Sequence, residues 1–308
     1  MAVKGLFKVK MISSITLVLV FGLIAGLLGF ILWISGAEGI TGIVLALAFS
    51  IGLMFFQWYF APSILKSLMR LQPMDKEEYK EIYNMTKELC KKAGLKLPKM
   101  FIVRNPTPNA FTFGRSQKDS YLALHTGLIE TLDKSEIKAV IGHELGHIKH
   151  RDYIVMTIAS ILPILLYYLA IIATPNRRDR SGSIFLVYAG AMAARMIGQL
   201  LVLWLSRRRE YYADAFSADI TNPSSMANAL EKISYGLRET KGRRTDSAIH
   251  SFYIEAPNSD EDPRFVSKIK SMSVQEAKGM EKAHGFLEIF MTHPLTFKRV
   301  IALKKLEV

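Results

Sequence analysis

His143, Glu144 and His147 stand in the spacing H-E-x-x-H, and their neighbours read as a helix. On a helix, residues i and i+4 lie about 40° apart around the axis, so both imidazoles project from one face. Two nitrogen donors placed that way suit one tetrahedral Zn²⁺. Glu144 falls about 100° round from His143, beside such an ion rather than on it. There a carboxylate takes the proton of an activated water and serves as general base. The competing reading is a solvated helix face that carries two histidines by chance. It accounts neither for the helix context, nor for a matching third donor, nor for the apolar segments around the motif.

The helix has its own start signal. Asp133 is placed as N-cap, and Glu136 three residues later completes a capping box. Ile137, Val140, Ile141, Leu145 and Ile148 form an apolar stripe at helical spacing. Gly142 and Gly146 each weaken a helix by about 1 kcal/mol relative to Ala. Four residues apart, they either admit a second backbone at close range or are simply tolerated.

A catalytic zinc keeps three protein ligands and one open position, so a third donor is expected from a second helix. Glu210 in the run Ser206 to Asp214 is the best placed, and Asp214 one turn on shares its face. An acid in that position accepts the remaining N–H of a ligating imidazole and fixes its tautomer. Without the H-E-x-x-H, the same run would read as a charged juxtamembrane helix with surface Arg–Glu pairs.

The two motifs in this order, H-E-L-G-H and then E-x-x-x-D after a hydrophobic hairpin, resemble those of the HtpX-type membrane metalloproteases. These are heat-shock-associated relatives of the CAAX prenyl protease and of the mitochondrial inner-membrane protease OMA. Pro108-Asn109-Ala110-Phe111 is similar to that family's P-N-A-F stretch, and Thr292-His293-Pro294 with Arg299 to its C-terminal T-H-P-x-x-x-x-R. Leu295 departs from the pattern, where many relatives carry a second proline. The resemblance implies a peptidase with one Zn²⁺, protein or peptide substrates and a role in heat-shock quality control. It also inclines the stretch Asn109, Ala110 and Phe111 towards substrate binding.

Half of the residues are apolar, and they come in blocks. Met11–Trp33, Ile40–Ala61 and Tyr153–Thr174 carry no charge, and each exceeds the roughly 20 residues that cross a bilayer as a helix. Ile184–Ser206 is as apolar, apart from Arg195 in its middle. That arginine either packs inward or marks a segment that is not fully in lipid. The first segment follows Lys4, Lys8 and Lys10, as a secretory leader would, but its length and the lack of a small-x-small site read as an anchor. Those lysines, and a first hairpin at Ser35–Gly39 without positive charge, place the N-terminus in the cytoplasm. The soluble parts then face the cytoplasm too, although Arg177, Arg178 and Arg180 in the second hairpin go against the rule. A multi-pass protein of the cell (plasma) membrane is expected.

The formal net charge of +13 is spread over juxtamembrane turns, helix faces and the C-terminal tail. Basic residues flanking apolar segments meet anionic lipid headgroups, and no nucleic-acid motif accompanies them. Membrane lipids are therefore expected as partners and nucleic acid is not. Cys90, the single cysteine, allows no intrachain disulfide. It falls in a helical pattern as a core residue without chemistry.

The organisation follows. Residues 1–62 form a transmembrane hairpin (about 11–33 and 40–61). Residues 63–152 carry the first part of the protease domain, with the H-E-x-x-H helix. Residues 153–206 form a second transmembrane hairpin, and 207–308 the second part, with the E-x-x-x-D helix. A helix over Asp75–Ala93 with a capping box at Asp75 and Glu78 leads into short strands at Met100–Arg104, Phe111–Gly114 and Ser120–His125. Further helices are expected over Ser224–Thr240 and Phe265–Ala283, with a last one beginning near Pro294. The fold class is an α+β, gluzincin-like zinc-protease domain, mostly helical with a small sheet, on about four transmembrane helices.

Asn109, Ala110 and Phe111 fall on an edge strand, whose unpaired backbone groups could hold an extended substrate; a purely structural hairpin is the alternative. His293 is a donor for the oxyanion of the tetrahedral intermediate, or packs the last helix. Arg299 either clamps an acid near the site or faces water. His125, His150, His250 and His284 have no partner spacing. The mechanism expected is peptide hydrolysis, with zinc on His143, His147 and Glu210 and with Glu144 as the base. Two other classes remain: a specialised processing enzyme like the prenyl protease, and a zinc-stabilised membrane scaffold without turnover.

Overall fold

The computed structural model describes residues 40–173, 181–240, 262–276 and 287–307. The expected first membrane segment, Met11–Trp33, lies outside them, as do both hairpin tips and most of the segment 241–263. Helix α1 (Ile40–Leu68) leads to a short strand β1 (Gln72–Pro73) and helix α2 (Lys80–Ala93). Strands β2 (Lys99–Val103), β3 (Ala110–Ser116) and β4 (Asp119–His125) follow, then helix α3 (Thr126–Thr131) and the H-E-x-x-H helix α4 (Lys134–His150). Helices α5 (Asp152–Ala159) and α6 (Leu162–Ala173) lead away from the domain, and α7 (Ser181–Ile220) returns to it. Helices α8 (Pro223–Thr240), α9 (Pro263–Ser271) and α10 (Thr296–Lys304) close it, with a 3₁₀ turn at Leu287–Phe290.

The sheet order is β1-β2-β4-β3, with β2 and β4 parallel and the other pairs antiparallel. Strand β3 is thus an edge strand among the described residues. Its neighbour on the open side is α4, where Thr112 Oγ1 donates to the Glu144 carbonyl at 3.4 Å. One face of the sheet packs on the main core of α2, α4 and α8 to α10. The other face carries Phe111, Phe113, Tyr121, Val103 and Ala123, which pack against Leu65 of α1 and Met69 just after it. Helix α1 is therefore continuous from its apolar run into the base of the catalytic layer.

Three expectations change in detail. Asp75 does not begin α2. Its side chain takes the N–H groups of Glu77 at 2.8 Å and Glu78 at 3.3 Å in a turn, and such local bonding competes with helix. The segment Tyr153–Thr174 is two helices rather than one, and the helix expected over Phe265–Ala283 breaks after Ser271, is helical again at 274–276, and lies outside the described residues from 277 on. Conversely, the fourth apolar segment and the Glu210 helix are a single helix, α7, of 40 residues. Among the described residues, two stretches are long and apolar enough to cross a membrane, Asp152–Ala170 and Leu186–Ile220. Of the about four expected, these are the two candidates among the described residues, and the first expected segment lies outside them. Arg195 is exposed on α7, so the inward-packed alternative does not hold.

The start of α4 is as read from the sequence. Asp133 accepts from Ser135 and Glu136 N–H, and Glu136 Oε2 accepts from Asp133 N–H at 2.9 Å. Its stripe Ile137, Val140, Ile141, Leu145 and Ile148 is buried to 6% exposure or less. Burying each such side chain contributes about 1.5–3 kcal/mol, which outweighs the cost of about 1 kcal/mol for each glycine. The glycines have a use. A Cβ on Gly142 would lie 3.0 Å from Ser217 Oγ, and one on Gly146 would lie 3.0 Å from Ala213 Cα. They let α7 cross α4 at backbone range, with Ser217 Oγ bonded to the Ala139 carbonyl at 2.6 Å.

Candidate metal centre

That crossing sets the site. Ala213 and Ser217 sit against the glycines, so Glu210 and Asp214, on the same face of α7, come down over the two histidines. His143 Nε2 and His147 Nε2 lie 3.1 Å apart. Glu210 reaches both, with Oε2 3.6 Å from His143 Nε2 and Oε1 3.7 Å from His147 Nε2. Bonds of about 2.0–2.2 Å in tetrahedral geometry put donor atoms about 3.3–3.6 Å apart, so this triangle fits one zinc ion. Glu210 Oε2 is buried without a hydrogen bond, an arrangement that a cation would relieve. His143, Glu144 and His147 also each bring one donor atom within 4.8 Å of the others. Glu144 therefore stands beside the same spot, 3% exposed.

Each imidazole is held from behind. Asp214 Oδ1 lies 2.9 Å from His143 Nδ1, and Asp152 Oδ2 lies 2.6 Å from His147 Nδ1. With both Nδ1 atoms taken, both Nε2 atoms face inward together. Arg299, fully buried, donates from Nε to Asp214 Oδ2 at 2.8 Å and from Nη2 to Oδ1 at 2.7 Å, a bidentate pair. Its Nη1 is 3.4 Å from Glu210 Oε2. Of the two readings of Arg299, clamping an acid holds and facing water does not. Arg209 pairs with Asp152 and donates to the His150 carbonyl at 2.8 Å.

His293 is buried, with Nδ1 3.4 Å from Glu210 Oε1 and neither ring nitrogen in a hydrogen bond. Its loop is tied down on both sides. Arg207 Nη1 donates to the carbonyls of Ile289 at 3.1 Å and Met291 at 2.7 Å. Glu288 accepts from Leu295 N–H at 3.3 Å and pairs with Lys298.

The substrate-binding stretch is buried. Asn109 is 0% and Phe111 3% exposed, and the Phe111 ring packs in the aromatic layer towards α1. These side chains pack inside the domain, while β3 meets the H-E-x-x-H helix through Thr112 Oγ1, which donates to the Glu144 carbonyl. His125 and Cys90 are core residues, as their lack of partner spacing implies. Burial pushes the His125 imidazole down to about 4, and its Nδ1 meets the Thr107 carbonyl at 2.9 Å. Burial pushes the Cys90 thiol up to about 11. Asp152, Arg207 and Arg209 went unread in the sequence as site residues. The one available signal was an acid directly after the metal helix; the arginines looked like ordinary membrane-flanking charge.

The pattern of Peptidase family M48 matches residues 76–307. This chain belongs to peptidase family M48. A Protease HtpX homolog of Methanothermobacter thermautotrophicus is 36% identical over 228 residues, covering 74% of this chain and 86% of that protein. Protease HtpX homolog 2 of Sulfurisphaera tokodaii is 32% identical over 320 residues, covering 97% and 96%. A crystal structure of S. mikatae Ste24p superposes with a TM-score of 0.62 at 18% identity, covering 96% of this chain and 66% of that one. At that identity the likeness shows the fold alone. The resemblance to HtpX-type peptidases stands, and the M48 chain is a peptidase.

One outcome follows from the buried ion pair. Arg299→Ala leaves Asp214 and Glu210 uncompensated in the interior, which should cost about 3–5 kcal/mol. Chemical denaturation of the chelator-stripped chain in detergent measures it. The double variant with Asp214→Ala should cost less than the two single losses combined. A loss below about 1 kcal/mol, the scale of an exposed pair, would contradict the buried clamp.

Proposed function

We propose that this M48 chain is an integral-membrane zinc endopeptidase that cleaves misfolded or membrane proteins beside the cytoplasmic surface. The observation that carries the reading is the triangle of His143 Nε2, His147 Nε2 and Glu210 beside the buried Glu144. His143, His147 and Glu210 would hold the ion. When bound, zinc supplies Lewis acidity for water activation and carbonyl polarisation. Glu144 accepts the water's proton and passes it to the leaving amine. Asp214 and Asp152 keep the imidazole tautomers that point Nε2 inward. His293 donates to the carbonyl oxygen as it gains charge. The β3 edge offers backbone groups to an extended substrate. The quality-control role rests on the likeness to HtpX-type proteins, and about four membrane helices rest on the apolar runs of the sequence.

The test is a variant series on an unfolded reporter. Glu144→Gln should keep one zinc and lose turnover, because the amide matches the carboxylate in shape but is no base. Glu210→Ala should lose zinc and activity together. His293→Phe should keep zinc and slow kcat by about 10²–10³ with little change in KM. Near-normal cleavage by Glu144→Gln would sink the assigned mechanism, and no cleavage by the zinc-loaded unmodified chain would favour a scaffold; full zinc in Glu210→Ala would remove that ligand.

Orientation is tested separately. The proposal places the metal site in the cytoplasm, on the basic N-terminus and the first hairpin without positive charge. A cysteine placed between Lys241 and Pro263, with Cys90 removed, should be shielded from an impermeant thiol reagent in intact cells. Ready labelling would reverse the topology.

A further inference from the structure

Both imidazoles of the site are backed by an acid and then by an arginine. His143 leads to Asp214 and Arg299, all at 1–2% side-chain exposure or less. His147 leads to Asp152 and Arg209 at the rim, with side chains 18%, 11% and 13% exposed. The first relay lies wholly inside the protease core. The second is built differently. Asp152 is the first residue of α5, where the apolar stretch Asp152–Ala170 begins. Arg209 ends the arginine triplet that follows the apolar run of α7.

Local backbone brings Asp152 to His147. Arg151 takes the left-handed conformation at φ 58°, uncommon for a residue with a side chain. It ends α4 and starts α5 within one residue, so the chain turns Asp152 back towards the last turn of the metal helix. Asp152 caps nothing there, for α5 has no side-chain cap. Its two oxygens instead meet the His147 ring and Arg209. Arg209 also holds the carbonyl of His150, the last residue of α4. Arg208, between the two site-directed arginines, points outward and lies over Trp204 at 5.5 Å.

We infer that Asp152 and Arg209 are positioning residues for His147, and that this ion pair couples the metal site to the packing of the α5–α7 hairpin at the membrane boundary. The inference rests on the zinc reading above. An imidazole whose Nδ1 partner is lost rotates freely and is a poorer donor, and loss of such partners typically costs about 10–100-fold in metal affinity. The pair joins the start of α5, which leaves the domain, to α7 where its apolar run enters the domain, so shifting either helix moves the carboxylate off His147.

The test uses the full chain in detergent, stripped by chelator and titrated with zinc against a competing chromophoric chelator. Stoichiometry reports the competent fraction, and competition reports Kd. Asp152→Ala and Arg209→Met should each bind one zinc about 10–100-fold more weakly. Arg208→Gln should bind as the unmodified chain does. Asp152→Asn, nearly the same size, keeps the test open if the alanine variant fails to fold, and it too should weaken zinc. Lower melting temperature or stoichiometry with unchanged Kd in these variants would overturn the inference and leave the pair as a fold contact. An unmodified chain that takes up no zinc would instead overturn the metal reading itself.

Discussion

The contact on which the site depends is the crossing of α4 and α7 at backbone range. Two donors come from one helix and the third from the other, so the donor triangle exists only while the helices stay at this separation. Gly142 and Gly146 permit it, Ala213 and Ser217 fill it, and the Ser217 bond to the Ala139 carbonyl fixes its height. A larger residue at either glycine would push Glu210 away by a side-chain radius, more than a metal bond tolerates. The propensity cost of the glycines is small beside the apolar burial of the same helix, which is why α4 can carry them.

Electrostatics then decides what the crossing can hold. Glu210 and Asp214 bring two carboxylates into a space closed to water, at 6% and 2% exposure. Such burial is costly without compensating charge. Arg299 provides it from α10, far along the chain, and so draws the C-terminal segment and His293 over the site. The apolar helices are part of the same arrangement. Helix α7 is one rod from its apolar run to Glu210, and α1 packs under the sheet whose edge strand flanks the zinc helix. The donor triangle is thereby held at a fixed distance from the apolar runs of α1 and α7.

Much of this was legible in the sequence. The capping box at Asp133, the apolar stripe of α4, the three main strands and the pairing of His143 and His147 with Glu210 are local or periodic signals, which spacing reports directly. What spacing cannot report is which surface meets which. Arg299 could equally have faced water, and only the docking of α10 resolves it. Arg207 and Arg209 were hidden by context, since arginines after an apolar run are ordinary at membrane boundaries. Phe111 is another such case, because a motif reports the residue but not which face of the sheet its ring occupies. The start of α2 failed for a local reason: Asp75 caps a turn rather than the helix.

The most direct measurement is a zinc-edge anomalous difference map from crystals of the zinc-loaded full chain. The account predicts one peak, about 2.0–2.2 Å from His143 Nε2, His147 Nε2 and a Glu210 oxygen, with Glu144 beyond bonding distance. A peak bonded to Glu144 with Glu210 remote from it, or no peak between the two helices, would contradict the account.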